Sequence, residues 1–239
     1  MGILYRLFRD TEEENKRRLL SLVEPRPGGR LLDLGCSDGS FTVRLARATV
    51  VAEAWGVEVA EAHAQRAREH GVRVVTADLN HGLPVVSRSF DIVHANQIIE
   101  HLTNTDGFMR EIARALKPDG YALISTNNLA SWHNIFSLLW GQQPMPAHVS
   151  SELILGNRLD PRFGQRHPAK EDSHLRTFSW SGLRHLAEYD GLEVEELTTA
   201  GYYPLPPAIA RWFCRLDRWH GAFLILKGIP RRRPDDGAC

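Results

Sequence analysis

The residues of this chain best placed to do chemistry open with one glycine-punctuated segment, Leu31-Leu32-Asp33-Leu34-Gly35-Cys36-Ser37-Asp38-Gly39-Ser40. Gly35 permits the positive φ of a tight turn, and Gly39 lets backbone approach a ligand with no Cβ in the way. Cys36 and Ser37 are the small residues between them. The free N–H groups of a helix starting at Ser40 favour an anionic group such as a carboxylate. A dinucleotide site would want Gly-x-Gly-x-x-Gly so that main chain can touch a pyrophosphate, and the spacing here differs. Asp33 would repel a pyrophosphate and suits an ammonium instead. A ligand carrying both an ammonium and a carboxylate is an amino acid. Taken alone, Gly-x-x-x-Gly also fits any tight strand-to-helix connection made of small residues.

Three further segments extend this reading. Glu58, followed by Val59, ends the next apolar run. An acidic residue roughly 20 residues past a nucleotide-binding turn accepts hydrogen bonds from ribose hydroxyls; the plain alternative is a surface glutamate. Asp78 and Leu79 lie in Thr76-Ala77-Asp78-Leu79-Asn80. A carboxylate there accepts from an exocyclic amine such as adenine's, or merely caps the following turn. Asn96 and Gln97 end the run from Phe90, at the edge where open α/β sheets bind ligands.

Eleven histidines supply candidate proton acceptors near neutral pH. Most are expected to be surface or packing residues. His174, in Ser173-His174-Leu175-Arg176, ranks first and His101, after Glu100, ranks second; Glu100-His101 also reads as ordering a helix start. His148 and His167 fall in an irregular stretch. A metal set could be drawn from His167, Glu171, Asp172 and His174, but its spacing matches no standard ligand pattern, and no metal is expected.

Alternating elements must position these residues. Glu12 to Val23 reads as an amphipathic helix ended by Pro25 and Pro27. Short apolar strands follow at Arg30–Leu34, Ala54–Val59, Val72–Thr76, Phe90–Ala95 and Tyr121–Ser125. Helical spacing separates them at Ser40–Arg47, Ala60–His70 and Thr105–Leu116, with a turn at Pro118-Asp119-Gly120. Such βαβ alternation implies a parallel, doubly wound sheet with helices on both faces. Ser131–Leu139 reads as a helix, Gly141–Arg176 as an insertion or lid, and Ser179–Tyr189 as a helix capped by Ser179 or Ser181. Strands at Leu192–Thr198 and Ala222–Lys227 flank a loop at Tyr202–Pro207. The expected layout is a single domain: an N-terminal helix (1–28), a cofactor half (29–126), a lid and substrate region (127–178), and a C-terminal helix with the last strands (179–239).

Composition narrows the class. Lys plus Arg is 29 and Asp plus Glu is 29, so no basic excess favours nucleic acid. The Arg231-Arg232-Arg233 cluster reads as a solvated terminus. Three scattered cysteines, Cys36, Cys214 and Cys239, argue against a disulfide framework and suit a reducing cytoplasm. Charged residues from Asp10 to Arg18 follow the first apolar residues at once, so no secretory signal is read. Ile135–Trp140 and Ala222–Leu226 are too short to span a bilayer. The aromatics after Asn127 suggest a water-excluding pocket. Trp212, Phe213 and Trp219 beside Arg211, Arg215 and Arg218 suggest a surface helix, either simply solvated or in contact with a membrane or lipid-linked substrate.

Taken together, the glycine turn, Glu58, Asp78 and the Asn96-Gln97 pair resemble the class I S-adenosylmethionine (SAM)-dependent methyltransferases of the small-molecule, glycan and quinone-precursor group. The likeness covers Gly29 to Thr126 strongly and the rest loosely. It implies a Rossmann-like seven-stranded sheet whose last strand is antiparallel. It implies SAM as donor and S-adenosylhomocysteine as product. Asp33, Gly35, Cys36, Ser37 and Gly39 would lie by the methionine part, with Glu58 and Val59 at the ribose, Asp78 and Leu79 at adenine, and Asn96 and Gln97 at the sulfonium. Where Ser37 stands the family often has glycine. The implied reaction is methylation of a small molecule or glycan at oxygen, with His174 or His101 as base. A SAM-binding regulator or scaffold without turnover would share the cofactor half. A nucleic-acid methyltransferase lacks support in the charge balance, and a nicotinamide oxidoreductase lacks it in the glycine spacing.

Overall fold

The computed structural model describes residues 2–167 and 174–231. The first half alternates as the apolar runs require: β1 (Arg30–Leu34), α2 (Ser40–Thr49), β2 (Glu53–Glu58), α3 (Glu61–Glu69), β3 (Arg73–Thr76), β4 (Phe90–Asn96), α4 (Thr105–Ala115) and β5 (Leu116–Asn127). Ahead of them lies α1 (Ile3–Leu22); behind come α5 (Trp132–Leu139), α6 (Trp180–Tyr189), β6 (Leu192–Ala200), α7 (Pro207–Leu216) and β7 (Phe223–Pro230). The strands form one sheet in the order β3-β2-β1-β4-β5-β7-β6. β1 to β5 pair in parallel, and β7 runs antiparallel between β5 and β6. The order reverses at β1, between β2 and β4, and crevices at such points bind ligands.

Both faces of the sheet are covered. β1, β4 and β5 carry Leu32, Leu34, Val93, Ala95, Ala122 and Ile124 against Phe108, Met109 and Ile112 of α4 and Leu183 of α6. On the opposite face Leu19 of α1 packs on Leu123 and Ile225, and Leu31 and Ile92 meet Leu45 of α2. Asn104 caps α4 through Gly107 N–H at 2.9 Å, and Ser179 caps α6 through Gly182 N–H at 3.3 Å.

The elements differ from the expected ones in two places. α1 begins at Ile3 rather than Glu12. Its first turns carry no capping side chain, so the sequence holds no start signal there. β5 begins at Leu116 and absorbs the Pro118-Asp119-Gly120 turn. Pairing jumps from Phe90↔Leu116 to Ile92↔Tyr121, so residues 117–120 bulge out of register. Lys117 Nζ fixes the bulge on Asp91 at 2.8 and 2.9 Å.

From 141 to 167 the chain forms turns and one isolated bridge, Leu153↔Arg166. Buried Asn157 organises it, donating to Ser137 Oγ and to Gln143 O, both at 3.0 Å. Glu171, Asp172, Arg232, Arg233 and Cys239 lie outside the described residues. Among the described residues no helix is long and apolar enough to cross a membrane.

Candidate functional site

The glycine turn closes β1 onto β2. Gly35 N–H and Cys36 N–H donate to Val57 O at 2.8 and 3.2 Å, and Gly39 N–H donates to Cys36 O at 2.9 Å. Gly35 adopts φ +72°, and a Cβ there would lie 3.0 Å from Ile98 Cδ1. Ser37 takes φ +49°, a left-handed conformation that favours glycine over residues with a Cβ. The Cys36 thiol turns inward onto Gly56 and Val72, so Cys36 offers the cleft its backbone only.

Glu58 is the centre of the turn's outer side. Its Oε2 accepts from Ser37 N–H and its Oε1 from Ala60 N–H, both at 2.9 Å. The residue is 9% exposed, and no cation pairs with it among the described residues. A carboxylate so nearly buried, with one lone pair per oxygen still open, asks for neutral donors. Vicinal ribose hydroxyls fit that demand. Val59 beside it leaves an apolar side chain 57% exposed.

Three expected contacts are corrected. Asp33 does not face a ligand ammonium: it is 3% exposed, Oδ1 meets His94 Nδ1 at 2.7 Å and Oδ2 accepts from the Thr42 hydroxyl. Gly39 does not make room for a ligand. A Cβ there would sit 2.8 Å from Ala67 Cβ, so its bareness seats α2 against α3. Asp78 caps its own turn, with Oδ1 accepting from Asn80 N–H at 2.9 Å and Oδ2 lying 3.2 Å from His81 Nδ1. The Asn80 amide holds the Asp78 carboxyl below its usual range. Leu79 is buried in the main core. The anion expected at the start of α2 is likewise supplied internally, since Asp38 Oδ1 accepts from Ser40 N–H at 3.0 Å.

At the carboxyl end of β4 polar side chains of α1, β4 and β5 meet. Asn96 Oδ1 accepts from Asn15 Nδ2 of α1 at 2.8 Å, and Ser125 Oγ donates to Asn15 Oδ1 at 2.9 Å. Gln97 takes φ +56° and donates its N–H to Ser125 O at 2.8 Å. A left-handed non-glycine here is held by its surroundings, as at other ligand clamps. Gln97 opens onto a cavity of about 290 Å³.

That cavity gathers histidines from distant segments: His101, His133, His148, His167 and His174 all line it. The rings of His101 and His174 are 4.9 Å apart, His148 stacks on His174 at 4.5 Å, and His167 lies 4.5 Å from His148. His174 Nδ1 lies 3.0 Å from Pro146 O, which places its proton on Nδ1 and its lone pair on Nε2. Burial, and then His148 and His101, push the His174 pKa down to about 3; burial, and then His167, push His148 down to about 4. Glu100 is fully buried beneath them, and burial raises its pKa to about 7. Its carboxylate accepts from Thr126 Oγ1 at 2.9 Å and Asn127 Nδ2 at 3.1 Å.

Both candidate bases thus share one cavity with Gln97. The sequence reading starts this helix at Glu12 and gives it no part in the site, whereas Phe8, Thr11 and Glu12 of α1 help to wall the cavity. The available signal was the polar set Thr11, Glu14 and Asn15 at helical spacing, buried together with Leu19.

A doubly wound sheet ending β5-β7-β6, with a glycine turn after β1 and an acidic end to β2, defines the class of SAM-dependent methyltransferases. The chain belongs to the family described as "Methyltransferase domain", whose model matches residues 6–197. SAM is accordingly its cofactor. It is 34% identical to a ubiquinone biosynthesis O-methyltransferase of Sinorhizobium medicae over 129 residues, 51% of this chain and 50% of the relative. It is 36% identical to that of Brucella ovis over 156 residues, 59% of this chain and 61% of the relative. The matches therefore span about half to three-fifths of these curated relatives. A SAM-dependent methyltransferase from Mesorhizobium loti shares the fold with a TM-score of 0.58 at 20% identity, covering 89% of this chain and 96% of that one.

Proposed function

We propose that this chain transfers the methyl group of SAM to an oxygen of a small molecule or a terminal sugar. One observation carries the reading: Gln97, at the end of β4, opens directly onto a cavity walled by His101 and His174. About 290 Å³ suits a small acceptor better than a polymer chain. The O-methyltransferase names of the curated relatives support oxygen as the target.

When bound, SAM supplies a methyl group already activated on a sulfonium. Glu58 would hold the ribose hydroxyls, with Val59 bordering the adenine. The backbone of Gly35, Cys36 and Ser37 would flank the methionine part, and Asn96 and Gln97 would line the sulfonium side. Asp33 supports the turn from beneath. The α1 wall keeps water from the acceptor, and the fixed Nε2 lone pair of His174, with His101 beside it, accepts a hydrogen bond from the acceptor hydroxyl and orients its oxygen toward the methyl group.

The test pairs two measurements. His174→Ala is expected to leave SAM affinity by calorimetry unchanged and to lower kcat for a quinone-precursor or sugar hydroxyl by about 100-fold or more. Absence of SAM or S-adenosylhomocysteine binding overturns the proposal; binding without transfer to any acceptor favours a scaffold instead.

A lipid-linked acceptor is favoured by one surface. Phe136, Leu139 and Trp140 are 54%, 74% and 79% exposed, and Trp212 and Trp219 are 56% and 50% exposed. Exposed Arg211, Arg215 and Arg218 border the second group, which suits peripheral contact with an anionic bilayer. A cytoplasmic setting is supported by the free thiols of Cys36 and Cys214.

A further inference from the structure

We infer that His148 sets acceptor specificity in this cavity: its Nε2–H donates to a hydrogen-bond-accepting oxygen, of a carboxylate or a carbonyl, carried beside the hydroxyl that receives the methyl group. The inference rests on the cavity being the acceptor site, as proposed above.

One backbone bond fixes the tautomer of His148. The His174 N–H donates to His148 Nδ1 at 3.3 Å. A ring nitrogen that accepts from an N–H carries no proton of its own, so the proton of this imidazole sits on Nε2. Burial, ahead of the charge on His167, pushes the His148 pKa down to about 4, and the ring stays neutral near pH 7.

The Nε2–H so fixed is a buried donor that meets no acceptor among the described residues. The neighbouring rings do not supply one. His174 lies nearly parallel to His148, at 15° and 4.5 Å between centroids, and offers it a ring face. His167 is tilted by 53° at 4.5 Å, and its own Nε2 is also buried without a partner among the described residues. Buried polar atoms in folded proteins are nearly always paired. The cavity that His148 lines is where an acceptor atom can enter.

The donor is also held in place. Met145 N–H donates to Asn134 Oδ1 of α5 at 3.0 Å, Ala147 N–H to Pro144 O at 3.0 Å, and Gln143 Nε2 to Ala147 O at 2.6 Å. These bonds tie the turn before His148 to α5. A fixed donor discriminates among ligands, because one without the matching oxygen leaves it unpaired. His174 and His148 thereby set opposite polarities side by side. His174 keeps its proton on Nδ1, toward Pro146 O, and presents a lone pair at Nε2 that suits a hydroxyl. His148 presents an N–H that suits a bare oxygen, gains nothing from a methyl group and repels an ammonium.

The first measurement needs neither a ligand nor a variant. In the full chain labelled with 15N-histidine, at pH 7, long-range 1H–15N spectra should show His148 protonated on Nε2 alone and His174 on Nδ1 alone. A His148 proton on Nδ1, or on both nitrogens, overturns the inference. The second titrates phenols into the full chain saturated with S-adenosylhomocysteine, by calorimetry. 3-Hydroxybenzoate and 3-hydroxybenzamide should bind at least about 10-fold more tightly than 3-methylphenol and 3-(aminomethyl)phenol, and should shift the His148 Nε2 resonance. The tighter of the first two tells a carboxylate from a neutral carbonyl. His148→Leu should abolish the preference, and His148→Gln, which keeps an N–H, should retain it; circular dichroism and SAM calorimetry report whether each variant folds. Equal binding of all four phenols, or an intact preference in a folded His148→Leu variant, overturns the assignment. Methyl transfer at equal kcat/KM to phenols with and without the extra oxygen overturns it while leaving the proposed activity standing. A His148-dependent preference in binding, without methyl transfer to any acceptor, does the reverse.

Discussion

Asp33 and His94 are buried side by side, their side chains 5% and 2% exposed. Thr42 completes the group, and none of the three faces the cleft. Asp33→Ala strands both partners and is expected to cost about 3–5 kcal/mol in urea unfolding. SAM affinity should stay within a few-fold of the original protein; a collapse of affinity at full stability would restore Asp33 to the ligand. Glu58→Gln should behave oppositely. Losing the charged acceptor of ribose hydroxyls removes about 1.5–3 kcal/mol of binding, read as a ~10- to 100-fold weaker Kd in calorimetry. Ser37→Gly relieves about 1–2 kcal/mol of left-handed strain and adds about 0.5–1 kcal/mol of unfolded-state entropy. The net expectation is a small stabilisation, seen as a higher denaturant midpoint at an unchanged slope. Residue types here were legible, but their facing was not. Both faces of β1 are covered, so Asp33 sits between buried Leu32 and Leu34 with no alternation to show where it points.

The elements of the cofactor half were readable because each strand is one short apolar run and each helix one apolar stripe. The departures have local causes: an uncapped start to α1, and a bulge in β5 that presents turn residues inside a strand. That bulge gives a pH test. Asp91 accepts from Arg30 N–H and twice from Lys117 Nζ. Burial alone would raise its pKa, but Lys117 and the Arg30 amide outweigh it and hold the carboxyl below its usual range. A lowered carboxyl pKa stabilises the fold above the unfolded value and loses that stabilisation as pH falls through the folded one. Asp91→Asn should therefore be less stable at neutral pH, and the gap should close below about pH 4. A gap independent of pH would mean the ion pair contributes nothing. Gly39 gives a packing test. Alanine there drives a Cβ into Ala67 at φ +76°, and about 2–4 kcal/mol of destabilisation is expected from overpacking and strain together.

The proposed donor and acceptor sites draw on near and far parts of the chain. The proposed donor site runs from 35 to 97, whereas the proposed acceptor cavity joins Phe8 and Glu12 to Gln97, His148, His174 and Tyr203. A pattern read along the chain reaches the first as one run and the second only through His101 and His174, because only the closed fold brings its walls together. The aromatic surface of α5 and α7 belongs to this scale as well. Anionic phospholipid vesicles should shift its tryptophan emission to shorter wavelength while zwitterionic ones leave it unmoved, and equal indifference to both would assign the patch to packing alone. α1 is made first, yet its anchors are Glu196 of β6, 2.9 Å from Arg18, and Lys227 of β7, paired with Glu24. These contacts close loops of almost the whole chain, which are slow to form. During synthesis α1 can therefore dock on β4 and β5 through Asn15 and Leu19 while its remaining contacts wait for β6 and β7. The proposed acceptor cavity, walled in part by Tyr203 and Phe223, is completed only at the end of folding.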